Sequence, residues 1–238
     1  MFKLLCKKLY SPWNMLIYIF ILGCCNYYYF MAYGNALRPH LLLAPLMGMG
    51  NSLIMGRLVL LILNGTPLYV FAGLLQEMLQ DSSLFLEIRA KSRKMWTRMI
   101  IKVGLVNVFT YLLLFVLLDI IISAFTLNNA PEIPKDFLCL IMLRFLELCI
   151  YTFILIAAYT RSKKMIPGAL LIIGLHLITL FGHIKALSCL PCALTSYSEV
   201  LAGDFPGYRR AFIELIILNI FLYALCNKSE RWLKPWKQ

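Results

Sequence analysis

The sequence predicts an all-α membrane protein with six transmembrane helices, organised as a single domain over residues 1–238. Hydrophobic residues make up 61% of the chain and charged residues only 14%, with a mean hydropathy of +0.79, whereas soluble domains carry about a quarter charged residues. Apolar runs of about 20 residues, the length that crosses a bilayer, recur along the chain. Basic residues are concentrated in alternate loops. The predicted spans are residues 13–33, 58–79, 101–127, 137–159, 165–184 and 211–226.

Lysine and arginine residues predict the orientation of the spans. Of the 23 such residues, 16 lie in the N-terminal segment, two alternate loops and the C-terminal tail, and 6 lie in the opposite loops. Because basic loops are enriched on the cytoplasmic side, both termini are predicted to be cytoplasmic. This topology accounts for the net charge of +12, so nucleic acid is not expected as a partner.

The first span follows a basic segment and ends in an aromatic run. Lys3, Lys7 and Lys8 precede it, and residues 27–30 read Tyr-Tyr-Tyr-Phe, which suits the outer membrane boundary. Residues 21–24 also resemble a lipoprotein cleavage box, and cleavage there would remove this helix. The leucine at position 22 fits such a box poorly, so we expect the helix to be uncleaved.

The next segment is apolar but rich in proline and glycine. Residues 34–57 are therefore predicted to be irregular, as an outer loop that enters the membrane part-way against other helices. The second span follows, with Pro67 expected to kink it. Residues 84–98 place apolar and basic side chains on different faces at helical spacing, which predicts an amphipathic cytoplasmic helix.

The remaining elements continue the alternation of spans and loops. The turn-rich segment 128–136 joins the third and fourth spans, and the basic segment 160–164 leads into the fifth. A longer outer segment with cysteine, proline and glycine extends to residue 210 before the sixth span. We expect this order to leave room for no separate soluble domain.

Motifs of soluble enzymes are absent from the chain. It contains no phosphate-binding loop GxxxxGK[ST], no HExxH and no GxSxG, so it is not expected to bind ATP through such a loop. His176 and His183 lie seven residues apart near Cys189 and Cys192, an arrangement compatible with an intramembrane cysteine peptidase. Packed histidines and packed thiols are the preferred interpretation, and a disulfide between the two cysteines stays open.

Four ionisable residues fall within predicted spans, where charges are costly and commonly face the bundle interior or a watery cavity. Because Asp119 and Arg144 lie at similar depths from the outer ends of consecutive spans, they are predicted to form an ion pair. Glu147, one turn beyond Arg144, is expected to share it. This pair either joins two helices or lines a substrate path. The predicted intramembrane polar cluster comprises Asp119, Arg144, Glu147 and Glu214.

Residues 89–96 read Arg-Ala-Lys-Ser-Arg-Lys-Met-Trp, and this motif between the second and third of six spans resembles the ABC-2-type permeases of bacterial ABC exporters. The likeness is strongest to small permeases for export of, or immunity to, bacteriocins, lantibiotics and other peptides. In that family the corresponding helix docks on a separate ATPase subunit; alternatively, it lies on anionic lipid headgroups. The resemblance implies that residues 1–12 form an interfacial elbow helix. The docking residues that it implies are Glu87, Arg89, Ser92, Arg93, Lys94 and Trp96.

The expected function is therefore a permease subunit of an ATP-driven transporter in the bacterial cytoplasmic membrane. It would export an amphipathic peptide or lipid-like substrate, paired with a second permease chain and with an ATPase that holds the ATP and magnesium. The chain itself is expected to be no enzyme and to bind no cofactor or metal. The alternatives are the cysteine peptidase and a stand-alone membrane immunity protein.

Overall fold

The computed structural model describes residues 2–33, 53–80, 93–127, 137–162, 164–181 and 206–228. These residues are all-helical, which confirms the predicted class, and no strand occurs among them. The helices in chain order are α1 (Phe2–Leu9), α2 (Pro12–Tyr33), α3 (Leu53–Gln80), α4 (Arg93–Leu127), α5 (Phe137–Ser162), α6 (Ile166–Phe181) and α7 (Pro206–Lys228).

Two of the described helices are long and apolar enough to cross a membrane. They are Met95–Phe125 within α4 and Phe137–Ser162, which is α5, while Ile166–Leu177 within α6 is a shorter apolar helix. Each predicted span coincides with a helix in the described part of the chain. The number of crossings and their orientation stay predictions.

One predicted boundary is wrong. α3 begins at Leu53, so residues 53–57 are helical rather than part of an irregular loop. α4 begins at Arg93 and continues without interruption into the predicted third span, so residues 93–98 of the predicted amphipathic helix and that span belong to one helix. Residues 34–52 and 81–92 lie outside the described part of the chain.

A tight corner joins α1 to α2. Ser11 occupies the N-cap of α2 and accepts a hydrogen bond from the Asn14 backbone N–H (3.3 Å), and Pro12 takes the first helical position, which its fixed φ suits. The Asn14 side-chain amide donates to the Lys8 and Leu9 carbonyls, which the end of α1 leaves without helical partners. Side chains at the start of α2 therefore provide hydrogen bonds at both helix ends of the corner.

α5 lies at the centre of the bundle. Seven consecutive residues, Glu147–Phe153, are buried, so this helix contacts neighbours all round rather than along one stripe. α7 packs along it, where Asn219 Nδ2 donates to the Leu146 carbonyl (3.0 Å) and Cys226 Sγ donates to the Phe153 carbonyl (3.4 Å). α3, α4 and α6 also pack against it.

The outer surface of the described bundle carries large apolar side chains. On α7, the isoleucines 213, 216, 217 and 220 and Phe221 are all exposed, by 43–64%. Trp13, Phe20 and Phe125 are exposed on other helices. Extended apolar patches are rare on soluble monomers but are expected where side chains face lipid, and this surface therefore supports a membrane setting.

Candidate functional site

Five buried polar side chains from three helices form a cluster that we call the Glu147 cluster. α3 contributes Asn64, α5 contributes Arg144, Glu147 and Tyr151, and α6 contributes His176. All five are buried. Arg144, Glu147 and Tyr151 are three and four residues apart, so the helical period places them on one face of α5.

Glu147 accepts hydrogen bonds at both carboxylate oxygens. Arg144 Nη1 donates to Oε2 (2.8 Å) in a buried ion pair. Tyr151 Oη donates to Oε1 (2.9 Å), and Asn64 Nδ2 donates to the same oxygen (3.1 Å). A buried charge is stable only when it is paired and hydrogen-bonded, and this carboxylate has an opposite charge and two neutral donors.

His176 is held in the cluster by both ring nitrogens. Its Nδ1 lies 2.9 Å from the Ile172 carbonyl, which only accepts, so Nδ1 carries a proton. Its Nε2 lies 3.0 Å from Asn64 Nδ2. The ring packs against the Tyr151 ring at a centroid distance of 5.1 Å.

The cluster leaves little free space around its side chains. Beside Asn64 and Arg144 lies a cavity of only about 10 Å³, also lined by Tyr111, about the size of one water molecule. Within the described ranges, no three His, Cys, Asp or Glu residues lie close enough together to bind a metal ion. The Asn64 side chain of α3 joins Glu147 of α5 to His176 of α6.

The predicted Asp119–Arg144 ion pair is wrong, because Arg144 pairs with Glu147 on its own helix. Asp119 is buried with 3% exposure, and its Oδ2 has no hydrogen-bond partner in the described part of the chain. Arg144 pairs with Glu147 rather than with Asp119 because Arg144 and Glu147 lie three residues apart on one helix, which places both side chains on the same face. Glu214, the fourth predicted member, is partly buried on α7.

The predicted docking residues are only partly covered by the structure. Glu87, Arg89 and Ser92, as well as the side chains of Arg93 and Lys94, lie outside the described part. Trp96 is 8% exposed and belongs to the core, so it is not the exposed anchor that the sequence predicted. Its spacing from the buried residues Ile100, Val103 and Asn107 shows the reason, since all four share one face of α4.

The residues of the peptidase alternative are also only partly described. His183, Cys189 and Cys192 lie outside the described residues, and both ring nitrogens of His176 have hydrogen-bond partners within the bundle. The six cysteines of the described helices form no disulfide bond with one another. Burial raises the pKa of the Cys6 thiol on α1, which opposes formation of a nucleophilic thiolate.

A second polar site, which we call the Pro67 junction, was not predicted. Pro67 has no N–H, so the Leu63 carbonyl lacks its helical donor, and Tyr111 Oη donates to that oxygen instead (2.7 Å). Asn107 Nδ2 donates to the Pro67 carbonyl (2.9 Å) and accepts at Oδ1 a hydrogen bond from Tyr18 Oη. The sequence feature that could have predicted this junction is the spacing of four residues between Asn107 and Tyr111, which places both side chains on one face of α4.

Comparison with protein-family models, curated proteins and solved structures found no match. The chain's described residues form a helical bundle with an apolar exterior, one buried ionic cluster and one hydrogen-bonded proline junction.

Proposed function

We propose that this chain is a membrane-embedded permease subunit of an ATP-driven exporter for an amphipathic peptide or lipid-like substrate. In this proposal the chain crosses the bacterial cytoplasmic membrane six times with both termini inside. A second permease chain completes the pathway, and a separate ATPase binds ATP and magnesium. The observation that carries the proposal is the length and continuity of α4.

α4 is one uninterrupted helix of 35 residues, which at ~1.5 Å per residue is about 52 Å long. The hydrocarbon core is only about 30 Å thick, so a substantial part of α4 extends beyond it. The basic end of the helix supplies this extension, because Arg98 and Lys102 are exposed and charged side chains avoid hydrocarbon. A long helix that is basic at one end and continues into the bundle is suited to transmit the movement of a partner protein to the other helices.

The two polar sites favour a particular division of the bundle. The Glu147 cluster joins α3 to α5 through the Asn64 side chain, which donates to the buried Glu147 carboxylate, and Asn64 also lies 3.0 Å from His176 of α6. Hydrogen bonds to a charged group are stronger than neutral ones. α4 packs against both α3 and α5, and its hydrogen bonds at the Pro67 junction are neutral and accepted by α3 carbonyls. Shear movements of packed helices are a common way to switch a protein between states. Movement of α4 against the α3–α5–α6 group is the expected step that alternates access.

The test is affinity purification of the chain from its native membranes in mild detergent, with mass spectrometry of the proteins that copurify. A protein with a phosphate-binding loop is expected to copurify with the natural chain. The variant Arg98→Glu/Lys102→Glu reverses two exposed charges on α4 and is expected to lose most of this partner, because charge reversal at an interface disfavours docking.

The matched control is Lys7→Glu/Lys228→Glu, which makes the same change in charge at exposed residues of α1 and α7. It is expected to retain the partner. Absence of any ATPase from the natural chain, with full-length protein recovered, would reject the permease proposal and favour the immunity protein. Equal loss of the partner from both double variants would show that general charge, rather than α4, recruits it.

A further inference from the structure

A groove lies where the α1–α2 corner meets the second half of α3. Its volume is about 760 Å³, within the range of roughly 300–1,000 Å³ that is typical of small-molecule sites. The corner forms one wall, one face of α3 forms another, and the residue before α6 also lines the groove. Lining residues include Lys8, Ser11, Trp13, Tyr69, Glu77 and Met165.

The groove presents one positive and one negative group side by side. Lys8 Nζ lies 3.1 Å from Glu77 Oε2, and the two side chains are 46% and 58% exposed. An ion pair this accessible contributes little to stability. A ligand that carries both a cation and an anion can therefore separate the two side chains at low cost and satisfy each of them.

Aromatic and apolar side chains continue from the charged pair along both walls. Trp13 and Tyr69 line the groove and are each 72% exposed. Trp13 shares a face of α2 with the exposed residues Leu16 and Phe20, and Tyr69 shares a face of α3 with the exposed residue Ile62. Both stripes lead away from Lys8 and Glu77, and exposed tryptophan and tyrosine are typical of the membrane–water boundary.

We propose that the groove binds a zwitterionic phospholipid whose headgroup carries a phosphate and a primary ammonium. Lys8 binds the phosphate, Glu77 accepts hydrogen bonds from the ammonium, and the acyl chains lie along the two apolar stripes. An anionic headgroup without an amine leaves Glu77 unpaired, and a choline headgroup has no N–H to donate to it. This inference depends on the membrane setting but not on the ATPase partner.

The experiment is native mass spectrometry of the purified full-length chain in mild detergent, titrated with dioleoyl phosphatidylethanolamine, phosphatidylcholine or phosphatidylglycerol. One molecule of phosphatidylethanolamine is expected to bind about tenfold more tightly than either of the other lipids. This difference in affinity corresponds to one charge-assisted hydrogen bond, from the lipid ammonium to Glu77. Equal affinity for the three lipids would overturn the proposal. Soluble phosphoethanolamine at millimolar concentration is expected not to displace the lipid, and displacement would reject a lipid ligand.

Three variants assign the selectivity to the ion pair. Glu77→Gln is expected to bind phosphatidylethanolamine and phosphatidylcholine with equal affinity, and Lys8→Gln is expected to bind both more weakly by about tenfold. Lys3→Gln, exposed on the same helix but outside the groove, is the control and is expected to match the natural chain. If the Glu77→Gln variant keeps its natural helical content and still prefers phosphatidylethanolamine to phosphatidylcholine, the assignment of the selectivity to the ion pair is overturned.

Discussion

The Glu147 cluster and the Pro67 junction hold the same helix, α3, by polar contacts of different kinds. In the cluster, the Asn64 side chain joins a buried ion pair that lies on α5. In the junction, the α3 backbone itself accepts hydrogen bonds from Asn107 and Tyr111 of α4. The first region is charged and the second is neutral, although adjacent residues of α3 take part in them.

The difference between the two regions lies in the cost of an incomplete network. Removing one partner of a buried ion pair leaves a charge without compensation, whereas removing one neutral donor leaves only an unsatisfied dipole. The hydrogen bond from Asn64 to the buried carboxylate is charge-assisted, so it is expected to hold α3 against α5 more strongly than the neutral hydrogen bonds of the junction hold α3 against α4. Three sets of substitutions test this contrast, from the largest expected effect to the smallest.

The variant Arg144→Met should give the largest loss of stability. It leaves Glu147 buried without its ion-pair partner, and the expected cost is about 3–5 kcal/mol in the free energy of unfolding. The measurement is a titration with sodium dodecyl sulfate in mixed micelles, followed by circular dichroism.

The companion variant for this test is Arg144→Met/Glu147→Gln, which removes both charges. It should recover most of the lost stability, because a neutral amide is far less costly to bury than a carboxylate. Equal losses in the single and the double variant would show that packing, rather than charge, determines the stability of the cluster.

The variant Gly104→Ala tests how closely the helices approach beside the Pro67 junction. The added Cβ would lie 2.7 Å from Thr152 Cγ2 and 3.0 Å from Phe71 Cζ, so the side chains of α3 and α5 must move. Overpacking of this kind should cost about 2 kcal/mol in the same titration. Gly23→Ala on α2 is the control, because nothing lies within 4 Å of its added Cβ, and it should leave stability unchanged or raise it by up to about 1 kcal/mol.

The variant Tyr111→Phe should have the smallest effect of the three. It removes the donor to the Leu63 carbonyl but keeps the ring that contacts Tyr18, and the expected cost is about 1 kcal/mol. In a Pro67→Ala background the restored N–H satisfies Leu63, so the same substitution should then cost almost nothing. A double-mutant cycle measures this coupling, and an equal cost in both backgrounds would contradict the compensating role of Tyr111.

The positions of the helices could be predicted from the sequence with small errors. The first predicted span, residues 13–33, differs by one residue from α2 (Pro12–Tyr33), and the fourth, residues 137–159, ends three residues before α5 (Phe137–Ser162). The larger error is at Leu53, where the predicted irregular loop is helical. At Arg93, one helix includes the end of the predicted amphipathic segment and the third predicted span. Apolar length measures the part of a helix that fits hydrocarbon and does not measure the helix itself.

The candidate site was less predictable than the fold. The proximity of Glu147 to Arg144 follows from their spacing on one helix, and it was expected from the sequence. The participation of Asn64 and His176 was not expected, since they lie 83 and 29 positions from Glu147 in the chain. The burial of Trp96 was also not predicted, because the basic residues next to it in the sequence indicated an exposed position.

By itself, the sequence determined that the chain is helical and apolar, where its helices lie, and which side chains share a face of each helix. Only the tertiary structure decided that Arg144 pairs with Glu147 rather than Asp119, and that α4 side chains satisfy the α3 backbone at Pro67. The physical reason is that helical periodicity acts within one helix. The rotation and relative depth of neighbouring helices depend on packing among all of them, and these determine which faces meet.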